Sequence, residues 1–99
     1  MIVVNGIVRT TREDIAALTH AISTMEAASR SEQGCLDYTF SIELNDPEVI
    51  RITEKWTSLE ALKAHFAAPH MADFQATMGA HPPVAMDVSF YEVEEIHPF

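Results

Sequence analysis

Basic charge, cysteine and long apolar runs are all scarce in this chain. Six Lys and Arg stand against fifteen Asp and Glu, a formal net charge of −9. Binding to nucleic acid or to an anionic membrane surface needs clustered cations, so this balance argues against both partners. Cys35 is the only cysteine. It allows no intrachain disulfide and fits a reducing compartment. Nothing basic flanks it to lower its pKa, so it reads as a small buried hydrophobe. No stretch reaches the roughly 20 apolar residues of a membrane span. The apolar start, Met1 to Val8, has its first basic residue, Arg9, after it. The sequence therefore predicts neither a signal peptide nor a span, and a cytoplasmic protein. Repeats and low-complexity tracts are missing. So is the His-Glu-x-x-His spacing of a zinc helix, and no metal is expected.

What is present is a normal globular composition, 47% hydrophobic and 21% charged over 99 residues. That length suggests a single domain, residues 1–99, with a modest core. Residues 2–9 are β-branched and short, a strand signal. Val3, Asn5 and Ile7 share one face; Ile2, Val4 and Val8 share the other, and both look covered. Thr11 with Asp14 opens a helix over about 12–31, whose apolar positions Ile15, Leu18, Ile22 and Met25 recur at three and four. Residues 35–44 alternate, with Leu36, Tyr38, Phe40, Ile42 and Leu44 on one side. A turn at Asn45-Asp46-Pro47 leads to a returning strand over 48–57, on which Ile50, Ile52, Glu54 and Trp56 share a face. Thr57 or Ser58 caps a helix carrying Leu59, Leu62 and Phe66. Pro69 interrupts that helix, and a shorter piece follows over about 70–79. Residues 84–95 alternate as a last strand.

The order β-α-β-β-α-β, with a broken second helix, is the ferredoxin-like α+β pattern with an antiparallel sheet. Helices on one face leave the other face for a second copy, so a homodimer is expected.

The segments S-E-Q-G-C-L-D-Y (31–38) and E-K-W-T-S-L-E-A-L-K-A-H (54–65), with P-H-M (69–71), carry a family resemblance. The chain resembles the antibiotic biosynthesis monooxygenases over nearly its whole length, in particular their small quinol monooxygenase branch. That resemblance implies a dimeric α+β barrel and oxygenation of a small quinol or phenolic aromatic by O2. It implies no metal, flavin or haem, because the substrate anion itself reduces dioxygen. Haem-degrading relatives carry a tryptophan where this chain has His65, and a histidine where it has Gln75. Polyketide-oxidising relatives carry an asparagine where it has Ile52.

Such chemistry asks for a base, a neutral donor and an apolar box. A phenol of pKa about 10 and a histidine of about 6.5 differ by roughly 5 kcal/mol, so the anion needs donors in a dry site. The resemblance and the spacing together nominate His65 as base, Asn5 as the amide donor and Trp56 as an indole donor and wall. Tyr38, Phe40, Phe66, Met71, Phe74, Met78 and Phe90 are candidate box residues, with His70 beside them. Structural roles remain open for each: His65 bonded at a helix end, His70 capping the restarted helix, Trp56 in the core, Asn5 bonded to backbone. Two other functions stay open as well. One is a non-catalytic binder of small aromatics; the other is a lactone isomerase or decarboxylase reaction without O2.

Overall fold

A computed structural model describes residues 1–99. The elements are β1 (Ile2–Arg9), α1 (Arg12–Arg30), β2 (Cys35–Glu43), β3 (Asp46–Trp56), α2 (Leu59–Phe66), α3 (Pro69–Ala80) and β4 (Ala85–Glu92). The four strands form one antiparallel sheet in the order β2-β3-β1-β4. This is a ferredoxin-like α+β fold, β-α-β-β-α-α-β. No helix is long and apolar enough to cross a membrane.

Register decides which residues share the helix-covered face. Ile2 lies opposite Trp56, Val4 opposite Glu54, and Gly6 opposite Ile52. On the other side Val4 meets Phe90 and Gly6 meets Val88. Tyr38 and Phe40 of β2 complete the row against Glu54 and Ile52. The core gathers on this face: Ile2, Val4, Tyr38 and Trp56 pack with Met25 of α1, Leu62 of α2 and Met71 of α3. Each such fully buried side chain contributes roughly 1.5–3 kcal/mol by leaving water. The outer face carries Val3 and Ile7 among Asn5, Thr53, Arg51, Ser89 and Asp87. β1 is thus buried on its helix-covered face, while on its outer face Val3 and Ile7 are only partly buried and Asn5 is exposed.

Local chemistry sets the element ends. The Thr11 hydroxyl accepts from the Asp14 amide at 3.1 Å, and Glu13 and Asp14 add charge favourable to a helix start. Ser58, rather than Thr57, caps α2 by accepting from Ala61. Leu44 and Asn45 alone form the turn of the β2–β3 hairpin. The strict alternation expected along 35–44 breaks at its start. Cys35 pairs with Trp56 and Asp37 with Lys55, which leaves Leu36 as a bulged, exposed residue. Pro69 does not merely interrupt a helix; it occupies the first turn of α3, where its missing N–H costs nothing.

Candidate functional site

Between the sheet and the helices lies a cavity of about 350 Å³ bordered by thirteen residues. Its size falls in the range of small-molecule sites. Alternation along the strands delivers Val4, Tyr38, Phe40, Ile52, Glu54, Met86, Val88 and Phe90 to one side of it. The short helices deliver Phe66, Met71, Phe74, Gln75 and Met78 to the other. Seven of the eight residues expected to form the box, all but His70, border this one space. Phe66, Met86 and Phe90 are about half exposed, at 49, 60 and 52%, and mark its mouth. Beside the Tyr38 hydroxyl, Glu54 and Gln75 bring the only polar side-chain groups to its lining.

Glu54 is the unusual member. It is only 9% exposed, and its Oε1 accepts from the Trp56 indole Nε1 at 2.9 Å. Residues two apart on a strand point the same way, so β3 itself sets this contact. Burial pushes the Glu54 carboxyl pKa up; the indole hydrogen bond and the nearby His65 oppose that shift, and Glu32 adds to it. Burial, with Glu54 next, also pushes the Tyr38 phenol well above its ordinary value, so Tyr38 stays protonated. The Cys35 thiol is raised by burial and by Glu32 and Glu54, which keeps it from acting as a thiolate nucleophile.

Behind the chamber wall stands a polar knot. The His65 ring lies 4.7 Å from Trp56 and 5.3 Å from Tyr38, centroid to centroid, with no exposed surface. Its Nδ1 is 2.6 Å from Glu32 Oε2. An ionised carboxylate only accepts, so Nδ1 carries the proton and donates it, leaving Nε2 as a lone-pair acceptor. That Nε2 is buried without a hydrogen-bond partner. His70 Nε2 approaches the same Glu32 oxygen at 3.2 Å.

Several sequence expectations change in the light of these positions. His65 and Trp56 stand behind the lining instead of in it, because both point into the core between α2 and β3. His70 does not cap α3: Ala68 is the cap residue, no side chain bonds there, and His70 turns to Glu32. Asn5 is exposed on the outer face of the sheet, a full face away from the chamber. Its neighbours Val4 and Gly6 take the inner positions because they pair with Glu54 and Ile52. Sequence reasoning does not nominate Glu54 or Glu32, and the structure adds both. For Glu54 a signal existed: an acid on the apolar row Ile50, Ile52, Trp56. Glu32 carried none, since its partner His65 is 33 residues away.

The family profile for antibiotic biosynthesis monooxygenase matches residues 1–77. Solved structures are similar over nearly the whole chain. A Deinococcus radiodurans protein described as a "putative antibiotic biosynthesis monooxygenase" is 27% identical, with a TM-score of 0.90, covering 100% of this chain and 98% of that one. A Bacteroides thetaiotaomicron protein described as of unknown function and a "possible oxidoreductase" is 25% identical, with a TM-score of 0.84, covering 93% and 96%. A Caulobacter crescentus structure at 23% identity and TM-score 0.84, covering 95% of this chain and 90% of that one, shares the fold. No curated protein matches the chain. With that profile spanning most of its length, over a fold these structures share, the chain belongs to the antibiotic biosynthesis monooxygenase family.

Proposed function

We propose that the protein is a cofactor-independent monooxygenase that oxidises a small quinol or related phenolic aromatic with dioxygen. The observation that carries this reading is one desolvated carboxyl, Glu54, bordering a chamber lined mostly by aromatic, aliphatic and methionine side chains.

In this mechanism the ring enters past Phe66 and Phe90 and packs against Tyr38, Phe40, Met71, Phe74 and Met78. Glu54 takes the phenolic proton. An ordinary glutamate of pKa about 4.3 facing a phenol of about 10 would be opposed by roughly 8 kcal/mol. Raising the carboxyl narrows that gap, and the Gln75 amide at the rim is a neutral donor for the phenolate oxygen. The anion passes one electron to O2, and the radical pair joins as a C–O bond beside the phenolate carbon. Protonated Glu54 returns its proton to the peroxide. It then removes the ring C–H proton while the O–O bond breaks and hydroxide leaves as water. A hydroquinone plus O2 thus gives a hydroxyquinone plus water. Trp56 fixes the carboxylate orientation through its N–H. His65 stands behind Trp56 and, with Glu32, holds that wall in place; its expected role as the base passes to Glu54.

The family's dimeric barrel implies a second copy against the outer sheet face, where Val3 and Ile7 are only half covered. A single buried carboxylate also suits proton transfer without oxygen, the chemistry of an isomerase. Oxygen uptake by chelator-treated protein with a panel of benzo- and naphthoquinols tests the proposal. Uptake above the autoxidation blank supports it. Turnover that persists under argon would replace it with the isomerase reading, and ligand binding without turnover would leave a binder.

A further inference from the structure

We propose that Glu32, His65 and His70 form a binding site for a divalent cation of the zinc type, outside the chamber. The three residues come from three places: the turn after α1, the last turn of α2 and the first turn of α3. Both imidazoles converge on one oxygen. Glu32 Oε2 is 2.6 Å from His65 Nδ1 and 3.2 Å from His70 Nε2. All three ligand atoms lie within 4.8 Å of one another.

Bonds of about 2.1 Å at tetrahedral angles place zinc donors roughly 3.4 Å apart. Both Glu32 separations are shorter than that value, and no pair of the three atoms is more than 4.8 Å apart, so small side-chain rotations would bring the donors to zinc spacing. Two histidines with one glutamate are a known zinc donor set, and three protein ligands leave one coordination position open. The helix break creates the pairing. Histidines five apart on a continuous helix point about 140° from each other; restarting the helix at Pro69 turns both toward Glu32.

Protons satisfy this cluster poorly. Glu32 Oε2 accepts the hydrogen bond from His65 Nδ1–H, and His70 Nε2 is left buried with no well-formed partner. One cation would engage all three atoms. A groove of about 250 Å³ between α1 and α3 adjoins the cluster on the His70 side; His20, Thr24, Asp73 and Thr77 line it with His70. A turn of the His70 ring would open the cluster to that groove, and the net charge of −9 favours a cation there. None of the three ligands borders the chamber. The ion would clamp the α2–α3 break to the turn after α1, stiffening the wall behind Trp56 and Tyr38 without joining the oxygen chemistry.

The test is calorimetric titration of chelator-treated full-length protein with ZnCl2, repeated with Co2+ while visible absorption is recorded. One equivalent should bind, with cobalt bands of low coordination number and a raised melting temperature. His70→Ala and Glu32→Gln should each weaken binding by more than roughly 100-fold, beyond the 10–100-fold of outer-shell partners. His81→Ala and His97→Ala should leave it unchanged. His70 is 25% exposed, so its variant should fold, which circular dichroism checks. No saturable binding, or binding that survives both His70→Ala and Glu32→Gln, overturns the site. Quinol oxidation plays no part in these readouts.

Discussion

Two carboxyls, Glu54 and Glu32, flank the same pair of rings, Trp56 and His65, and they are held in opposite ways. Glu54 faces the chamber with one hydrogen bond, from an indole, and apolar side chains elsewhere. Glu32 faces the knot behind, with two imidazole nitrogens directed at one oxygen. The first is short of polar company, so its proton is held more tightly than in water. The second is rich in donors. The contrast separates a group placed to exchange protons with a ligand from a group placed to hold structure, or an ion.

The largest way to break that contrast is Glu54→Gln. The glutamine oxygen still accepts from Trp56, so packing is kept while the base is lost. Oxygen uptake should fall by roughly 10²–10⁴-fold, the usual contribution of a positioned acid or base. Aromatic binding, followed by fluorescence quenching, should change little. The same variant tests stability. A carboxyl whose pKa is raised above its ordinary value binds its proton more tightly folded than unfolded. Its contribution to stability is therefore fully present below that value and lost as pH rises through the folded one. Urea midpoints of the native protein should show this decline, and Glu54→Gln should remove it.

Gly34→Ala comes next, and strikes the knot. Gly34 has φ +86°, and an added Cβ would sit 2.7 Å from both Ala61 Cβ and Thr57 Oγ1. We expect about 3 kcal/mol of destabilisation by urea unfolding, from strain plus the clash that pushes the Glu32 turn off α2. Trp56→Phe should cost about 2 kcal/mol through the volume lost at a fully buried position. It also removes the N–H that opposes the upward shift of Glu54, so the acidic limb of the activity profile should move to higher pH. The smallest effect belongs to Asn5→Ala. Its side chain is on the outer face, so turnover should stay within about twofold, and stability within the ±0.5 kcal/mol of most surface changes.

The strands, the α1 stripe and the restart at Pro69 were legible because each is a local, periodic signal. Tyr38 and Phe40 fell on the chamber side because strand alternation needs no tertiary information. Asn5 was misplaced for a physical reason. Both faces of β1 are apolar, so its pattern does not say which face the helices cover; pairing with Glu54 and Ile52 does. The bulge at Leu36 was hidden too, since an uninterrupted alternation hides an extra residue. Glu32 meets His65 only through the packing of the α1–β2 turn on α2, which no spacing rule encodes. Glu54 could have been found, because an acid flanked at two-residue steps by Ile52 and Trp56 must be buried with them.

The pH dependence of kcat/KM for oxygen uptake, compared between the native protein and Glu54→Gln, tests the central claim most directly. The native profile should rise with pH through one ionisation above the ordinary glutamate range and then level, and the variant should lack that limb. A limb of unchanged shape and position in the variant would show that some other group takes the proton, and the role given to Glu54 would fail.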